Sequence, residues 1–406
     1  PEKGEKMHQP TEATLDIAAS KMRSPLAALA RSTLRVCLWD RPTLAVLVLV
    51  QILLLLPALM GYPTLSDQAI GQEQARQTRE ILSTSTANGV YDSAPADLKD
   101  INARELTALG EAASTPYPSR DFFDAYARYY DIELESVKAG YSEPDPSLYA
   151  RSELIHRLAQ LENPEVYDTA AEMSATYYLA FVLGLMPGIV PLLPIALLAG
   201  ASQRRLATRS LEQAAPIHRA KKRTTALGVA LALALVVLAL ELAPATLLAL
   251  VRNGLGNLAY PVVQIVDGNV ASTTVREVLA KDMALIIGAA LVTTALAATA
   301  EAILPRCGLG LSLALLVAPL LPPYASRETE WQKIARHLPS SYLSCGSIVG
   351  MPVYANGLDI RVISGTTWEL GCTTLLAFAA ALVLAALLVD SLQERSRSGR
   401  LQRRFS

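Results

Sequence analysis

The sequence predicts an all-α polytopic membrane protein, with about six transmembrane helices and a helical extracytoplasmic domain between the first and the second. The first observation is composition: of 406 residues, 51% are hydrophobic and 18% are charged, and the mean hydropathy is +0.30. The second is that apolar residues form long windows, and a bilayer core of about 30 Å requires about 20 such residues per helix. The third is that basic residues gather at the ends and in one short loop, whereas acidic residues gather in one region.

The windows of low charge set the predicted spans. These are 44–60, 176–200, 227–251, 283–304, 309–321 and 367–389. The second span is expected to kink, because Pro187, Pro191 and Pro194 each remove a backbone donor and crowd the preceding turn. The fifth is short and ends in prolines.

Residues 1–43 are predicted to form a cytoplasmic tail and an amphipathic helix ahead of the first span. Apolar residues recur at near-helical spacing between Leu15 and Leu38, among Lys21, Arg23 and other bases. Such a helix is suited to lie on an anionic inner leaflet. The alternative is a cytosolic helix that packs on a partner.

Residues 61–172 have the character of a water-soluble insertion, with about 20 acidic residues against nine basic ones. Helical periodicity is kept in four segments, 73–82, 96–109, 120–137 and 147–161. Turn residues interrupt the pattern at 114–116 and 143–146. We therefore expect a small acidic helical domain here.

The distribution of bases predicts the orientation, because cytoplasmic loops of membrane proteins carry an excess of Lys and Arg. The loop 202–225 and the tail 391–406 are rich in bases, whereas the loops 252–282 and 322–366 are poorer in them. Both termini are therefore predicted to be cytoplasmic, with residues 61–172 outside. An even number of spans is required, and the remaining five form a bundle over 173–390.

Few residues indicate chemistry within this chain. No phosphate-binding loop of the Gly-x-x-x-x-Gly-Lys-Ser/Thr type occurs, and the cysteines and histidines lack metal-ligand spacing. Glu241 is the clear acidic residue in the middle of a span and a candidate for lining a pathway. Asp282 is expected to lie near the external end of its span, where water can solvate it. No enzymatic activity, metal, cofactor or nucleic-acid partner is predicted for this chain.

The loop 203–225 reads QRRLATRSLEQAAPIHRAKKRTT, a short helix followed by a proline and a basic run. It resembles the coupling segment of the permease subunits of type-2 class ABC exporters, with Leu211, Pro216, Lys221 and Lys222 at the matching places. The order of elements from end to end resembles that family as well. So does Leu-Pro-Ser-Ser-Tyr-Leu at 338–343, ahead of the last span.

The resemblance implies a permease of the bacterial cytoplasmic membrane, which forms an export pathway as a homodimer or related heterodimer. ATP and Mg would bind to a separate cytoplasmic ATPase subunit that docks on the coupling loop. The residues expected at that contact are Arg204, Arg205, Leu206, Arg209, Leu211 and Pro216.

Two other functions remain open at this stage. One is a membrane sensor or mechanotransmitter with a ligand-binding external domain, and the other is an ion-coupled carrier that uses Glu241. The substrate is not indicated by the sequence.

Overall fold

The computed structural model describes residues 25–38, 40–62, 70–208, 219–304, 312–313, 315, 329–351, 363 and 365–405. These residues are mostly helical. The elements before the hairpin are α1 (Pro25–Leu38), α2 (Arg41–Met60), α3 (Gln72–Ala87), α4 (Ala96–Ser114), α5 (Arg120–Lys138), α6 (Pro146–Ala159), α7 (Ala175–Leu185), α8 (Ile189–Thr208) and α9 (Arg219–Asn253). They are followed by β1 (Pro261–Val266), β2 (Asn269–Thr274), α10 (Val275–Ile303), α11 (Thr329–Ala335) and α12 (Trp368–Phe405).

Four of the described helices, α2, α9, α10 and α12, are long and apolar enough to cross a membrane. The pair α7 and α8 brings this number to five when it is counted as one bent span. These helices contain or overlap the predicted first, second, third, fourth and sixth spans. The predicted fifth span, 309–321, lies almost entirely outside the described residues.

The four helices predicted between the first two spans are present as α3 to α6, with bounds within a few residues of those expected. Their limits follow local signals. Ser119 caps α5 by accepting a hydrogen bond from the Phe122 amide, and Asp145 caps α6 by accepting one from the Ser147 amide. Aromatic side chains of α5, including Phe122, Phe123 and Tyr126, fill the interior of this domain.

The expectation of an all-α fold is wrong in one place, because β1 and β2 pair as an antiparallel hairpin within the predicted loop 252–282. Val262, Val263 and Ile265 give β1 the branched residues that favour strands. Asp267 and Gly268 form the turn with positive φ values of 50° and 76°, as a two-residue hairpin turn requires.

One end of the helix bundle carries the hairpin, the α3 to α6 domain and the segment after α11. Helix α6 packs on both strands, and Gln264 Nε2 of β1 donates to the Val349 carbonyl at 2.7 Å. The opposite end joins the start of α9 to α12, where Arg223 donates to the Ala386 carbonyl at 3.3 Å. The three segments expected outside therefore share one end of the bundle.

Side chains of neighbouring helices bond to the backbone of the membrane-length helices near two of their prolines. Pro244 has no amide hydrogen, so the Leu240 carbonyl four residues before it has no intrahelical donor. Gln51 of α2 supplies one, because its Nε2 donates to the Leu240 oxygen at 2.8 Å. Near Pro57 of α2, the Tyr178 hydroxyl donates to the Leu54 carbonyl at 2.6 Å and accepts from the Ala58 amide at 3.3 Å.

Gln51→Leu is expected to destabilise the protein by about 1 kcal/mol, because a carbonyl facing hydrocarbon loses its donor. In the Pro244→Ala background the helix supplies that donor itself, so the same Gln51 change should cost much less. Thermal unfolding of the four proteins in nanodiscs measures this coupling. Equal losses in both backgrounds would show that the Gln51 amide does not compensate for Pro244.

Candidate functional site

The predicted kink of the second span is a complete break in the structure. Helix α7 ends at Leu185, α8 begins at Ile189, and their axes differ by 79°. Met186 is extended, with φ of −76° and ψ of 134°, as expected for a residue that precedes a proline. The kinked span predicted over 176–200 is therefore corrected to two helices joined by Met186, Pro187 and Gly188.

The segment 338–351, which contains the Leu-Pro-Ser-Ser-Tyr-Leu motif, packs against this break through backbone contacts. A Cβ atom at Gly188 would lie 1.3 Å from the Leu343 carbonyl oxygen, and one at Gly346 would lie 2.2 Å from the Gly184 oxygen. No other residue type has room at either place without displacing the backbone. We call 338–351 the seated segment.

The seated segment consists of two short 3₁₀ turns, Pro339–Tyr342 and Cys345–Ser347. Tyr342 is fully buried, and its hydroxyl donates to the Arg336 carbonyl at 2.7 Å. A Cβ atom at Gly371 of α12 would lie 2.6 Å from the Tyr342 ring. Gly371 thus allows α12 to approach the seated segment, so its small size serves packing.

Three carboxyl groups are buried within the membrane-length helices, namely Glu241 of α9 and Asp282 and Glu301 of α10. Glu241 of α9 and Asp282 of α10 are both 0% exposed, and none of their four carboxyl oxygens has a hydrogen-bond partner among the described residues. Burial of Glu241 agrees with an acid that faces protein and not lipid. The expectation that water solvates Asp282 is wrong, because the seated segment covers that end of α10.

A small cavity of about 10 Å³ lies between the break and α10, which is room for about one water molecule. Its walls are largely apolar and include Leu54, Leu242, Ile286, Tyr342 and Cys345. Ile286 is one helical turn from Asp282, and Leu242 adjoins Glu241. In the part of the chain that the structure describes, no group of three or more His, Cys, Asp or Glu residues is placed to hold a metal ion.

The predicted coupling residues are described only in part. Arg204, Arg205 and Leu206 belong to the last turns of α8, whereas Arg209, Leu211 and Pro216 lie outside the described residues. Helix α1 packs against both α8 and α9, the two helices that flank this loop, with Leu29 and Thr33 buried. The amphipathic helix therefore packs on the bundle through one face. The spacing of its apolar residues did not indicate what that face contacts.

The α3 to α6 domain contains an enclosed acid of its own. Burial, together with the nearby charge of Glu133, raises the pKa of Glu105 to about 7. The Tyr129 hydroxyl forms a hydrogen bond with Glu133, and burial raises the pKa of Glu133 as well. These groups lie on α4 and α5, outside the spans.

An open cleft of about 790 Å³ lies beside the contact between the helical domain and the hairpin. Its lining combines apolar and charged side chains, among them Tyr149, Glu153, Arg157 and Val270. Arg157 donates to Glu153 at 2.8 Å, so these two charges compensate each other. The cleft is large enough for a small ligand.

Comparison of the chain with protein-family models, with curated proteins and with solved structures found no match. The family resemblance seen in the sequence stays a prediction.

Gly188→Ala is expected to lower the thermal unfolding midpoint by several degrees, because the added methyl group would overlap the Leu343 carbonyl and displace the seated segment. Gly228→Ala in α9 is the matched control, since nothing lies within 4 Å of a Cβ atom there. The control should be neutral or slightly stabilising, because alanine favours a helix. Equal midpoints for the two variants, measured in nanodiscs, would contradict the backbone contact.

Proposed function

We propose that the chain is a permease subunit of an ATP-driven exporter. The observation that carries this proposal is the continuity of α8. This helix runs for 20 residues, Ile189–Thr208, from the break at Gly188 to the predicted coupling residues Arg204, Arg205 and Leu206. One continuous helix, about 30 Å long, connects the place where an ATPase would push to the irregular backbone near the other end of the bundle.

Such an arrangement suits the transmission of a mechanical displacement. A helix moves as a unit, and the short linker at a break absorbs the change in backbone angles. Movement of α8 would act on the seated segment through the contact between Gly188 and Leu343. It would also act on α1, which packs against α8 and α9.

The partners in this proposal are a cytoplasmic ATPase subunit, which binds ATP and Mg, and a second permease chain within the lipid membrane. The chain itself would contribute the pathway and no catalytic group. The loop 202–225 would be the docking surface, with residues 61–172 outside and both termini in the cytoplasm of a bacterial cell.

The cleft between the helical domain and the hairpin favours a second candidate, a sensor whose external domain binds a ligand. Helix α6 lines one side of that cleft and β2 the other, and β2 leads directly into α10. Ligand binding there would act on a membrane span without an ATPase. A third candidate is an ion-coupled carrier, which would use the buried carboxyl group of Glu241.

Leu211→Asp is expected to weaken ATPase docking by about 2 kcal/mol or more, roughly 30-fold, because it places a charge at an apolar anchor of the interface. Arg209→Ala is the matched control and should lose much less, since an exposed ion pair contributes only about 0.2 to 1 kcal/mol. The measurement is co-purification of an ATP-hydrolysing subunit, together with the hydrolysis rate of the complex.

An unchanged complex in the Leu211 variant would remove this loop as the coupling element. Purification of a stable and active protein without any ATP-hydrolysing partner would favour the sensor or the carrier.

A further inference from the structure

Asp282 occupies an unusual environment for an ionisable group. It lies about two turns into α10, is 0% exposed, and both of its carboxyl oxygens lack a hydrogen-bond partner in the described parts of the chain. The seated segment covers it, with the Cys345 sulfur 3.9 Å from the Asp282 backbone carbonyl oxygen. The neighbouring faces are the apolar ones of α10, where Val278, Leu285 and Ile286 are buried.

An ionised carboxylate is costly in such a place. Transfer of an isolated charge from water to an apolar interior requires several kcal/mol even after relaxation. Among the described residues, the Cys345 thiol is the titratable group that faces Asp282, and no charged side chain acts on its carboxyl. A thiol provides no compensating positive charge, so the carboxyl must be neutralised by something that it binds.

A proton satisfies this requirement better than a metal ion does. Hard cations require several oxygen ligands at once, six or more for an ion such as Ca²⁺. The interactions described around Asp282 involve the buried apolar positions Val278, Leu285 and Ile286 of its own helix and the Cys345 thiol, and they provide no set of oxygen ligands. A proton neutralises the carboxyl without any further ligand.

We propose that Asp282 is a proton-binding site that links pH to the position of the seated segment. The carboxyl carries a proton while the segment covers it. It releases that proton to water when the segment moves away. Each opening event therefore releases one proton, and linkage makes the opening equilibrium rise about tenfold per pH unit wherever the covered carboxyl is protonated and the uncovered one is ionised. This inference does not depend on the export proposal, because the linkage holds for any function of the chain.

Cys345 provides a native reporter of opening, because it is buried under the same contact. Cys372, which is partly exposed at the start of α12, provides an internal reference for thiol reactivity. The experiment treats the full chain in nanodiscs with N-ethylmaleimide from about pH 6 to about pH 9. It measures the ratio of Cys345 to Cys372 modification by peptide mass spectrometry.

In the parent protein this ratio should rise by about tenfold per pH unit over part of the range. In Asp282→Asn the ratio should not change with pH. Asp282→Leu serves the same purpose if the Asn variant fails to fold. Glu330→Gln, which removes an exposed acid of α11 close in the chain to the seated segment, should behave like the parent.

A ratio that is flat in the parent, or that rises equally in the parent and the Asp282 variants, would overturn the proposal. A second arm replaces choline chloride with NaCl at constant ionic strength and pH. No change is expected, and a fall in Cys345 modification caused by sodium would assign the site to an alkali-metal ion instead.

Discussion

The structure depends on one constraint, which is that backbone polar groups within hydrocarbon must find partners inside the protein. The chain departs from regular helix at Met186 to Gly188 and again over 338–351, and it buries these two irregular stretches against each other. Where Pro244 leaves the Leu240 carbonyl free, Gln51 of another span donates to it. These departures from helical geometry therefore bring distant parts of the chain into contact.

The same contacts create the chemistry of the bundle. By covering the outer part of α10, the seated segment removes Asp282 from water, and an acid that would otherwise be ordinary becomes a group that must bind a positive charge. Glycines at 184, 188 and 346 let the chain around the break and the seated segment approach each other closely. The seated segment both contacts Gly188 and covers Asp282, so a displacement of α8 would act on the two together.

Local signals were sufficient for much of the fold. The helices of the 61–172 domain were predictable because periodicity, capping residues and turn residues all act within a few positions, as at Ser119 and Asp145. The break at Pro187 was anticipated only as a kink, since its extent depends on the seated segment, more than 150 residues away in the chain. Burial of Asp282 depends on Cys345 and its neighbours, and the hairpin within 252–282 was overlooked despite its Asp-Gly turn. No local pattern in the sequence indicates that Asp282 is buried. The coupling residues Arg209, Leu211 and Pro216 remain predictions.

The account requires the helical domain, the hairpin and the seated segment to face one side of the membrane, with the basic loop and the tail on the other. Impermeant thiol labelling of intact cells tests this directly, with single cysteines placed at Asp145, Glu165, Arg209 and Arg400 in a chain whose native cysteines are replaced. Labelling from outside is predicted at Asp145 and Glu165, with Arg209 and Arg400 reached only after the cells are opened. Labelling of Arg209 or Arg400 in intact cells, with Asp145 and Glu165 protected, would contradict the orientation and the function built on it.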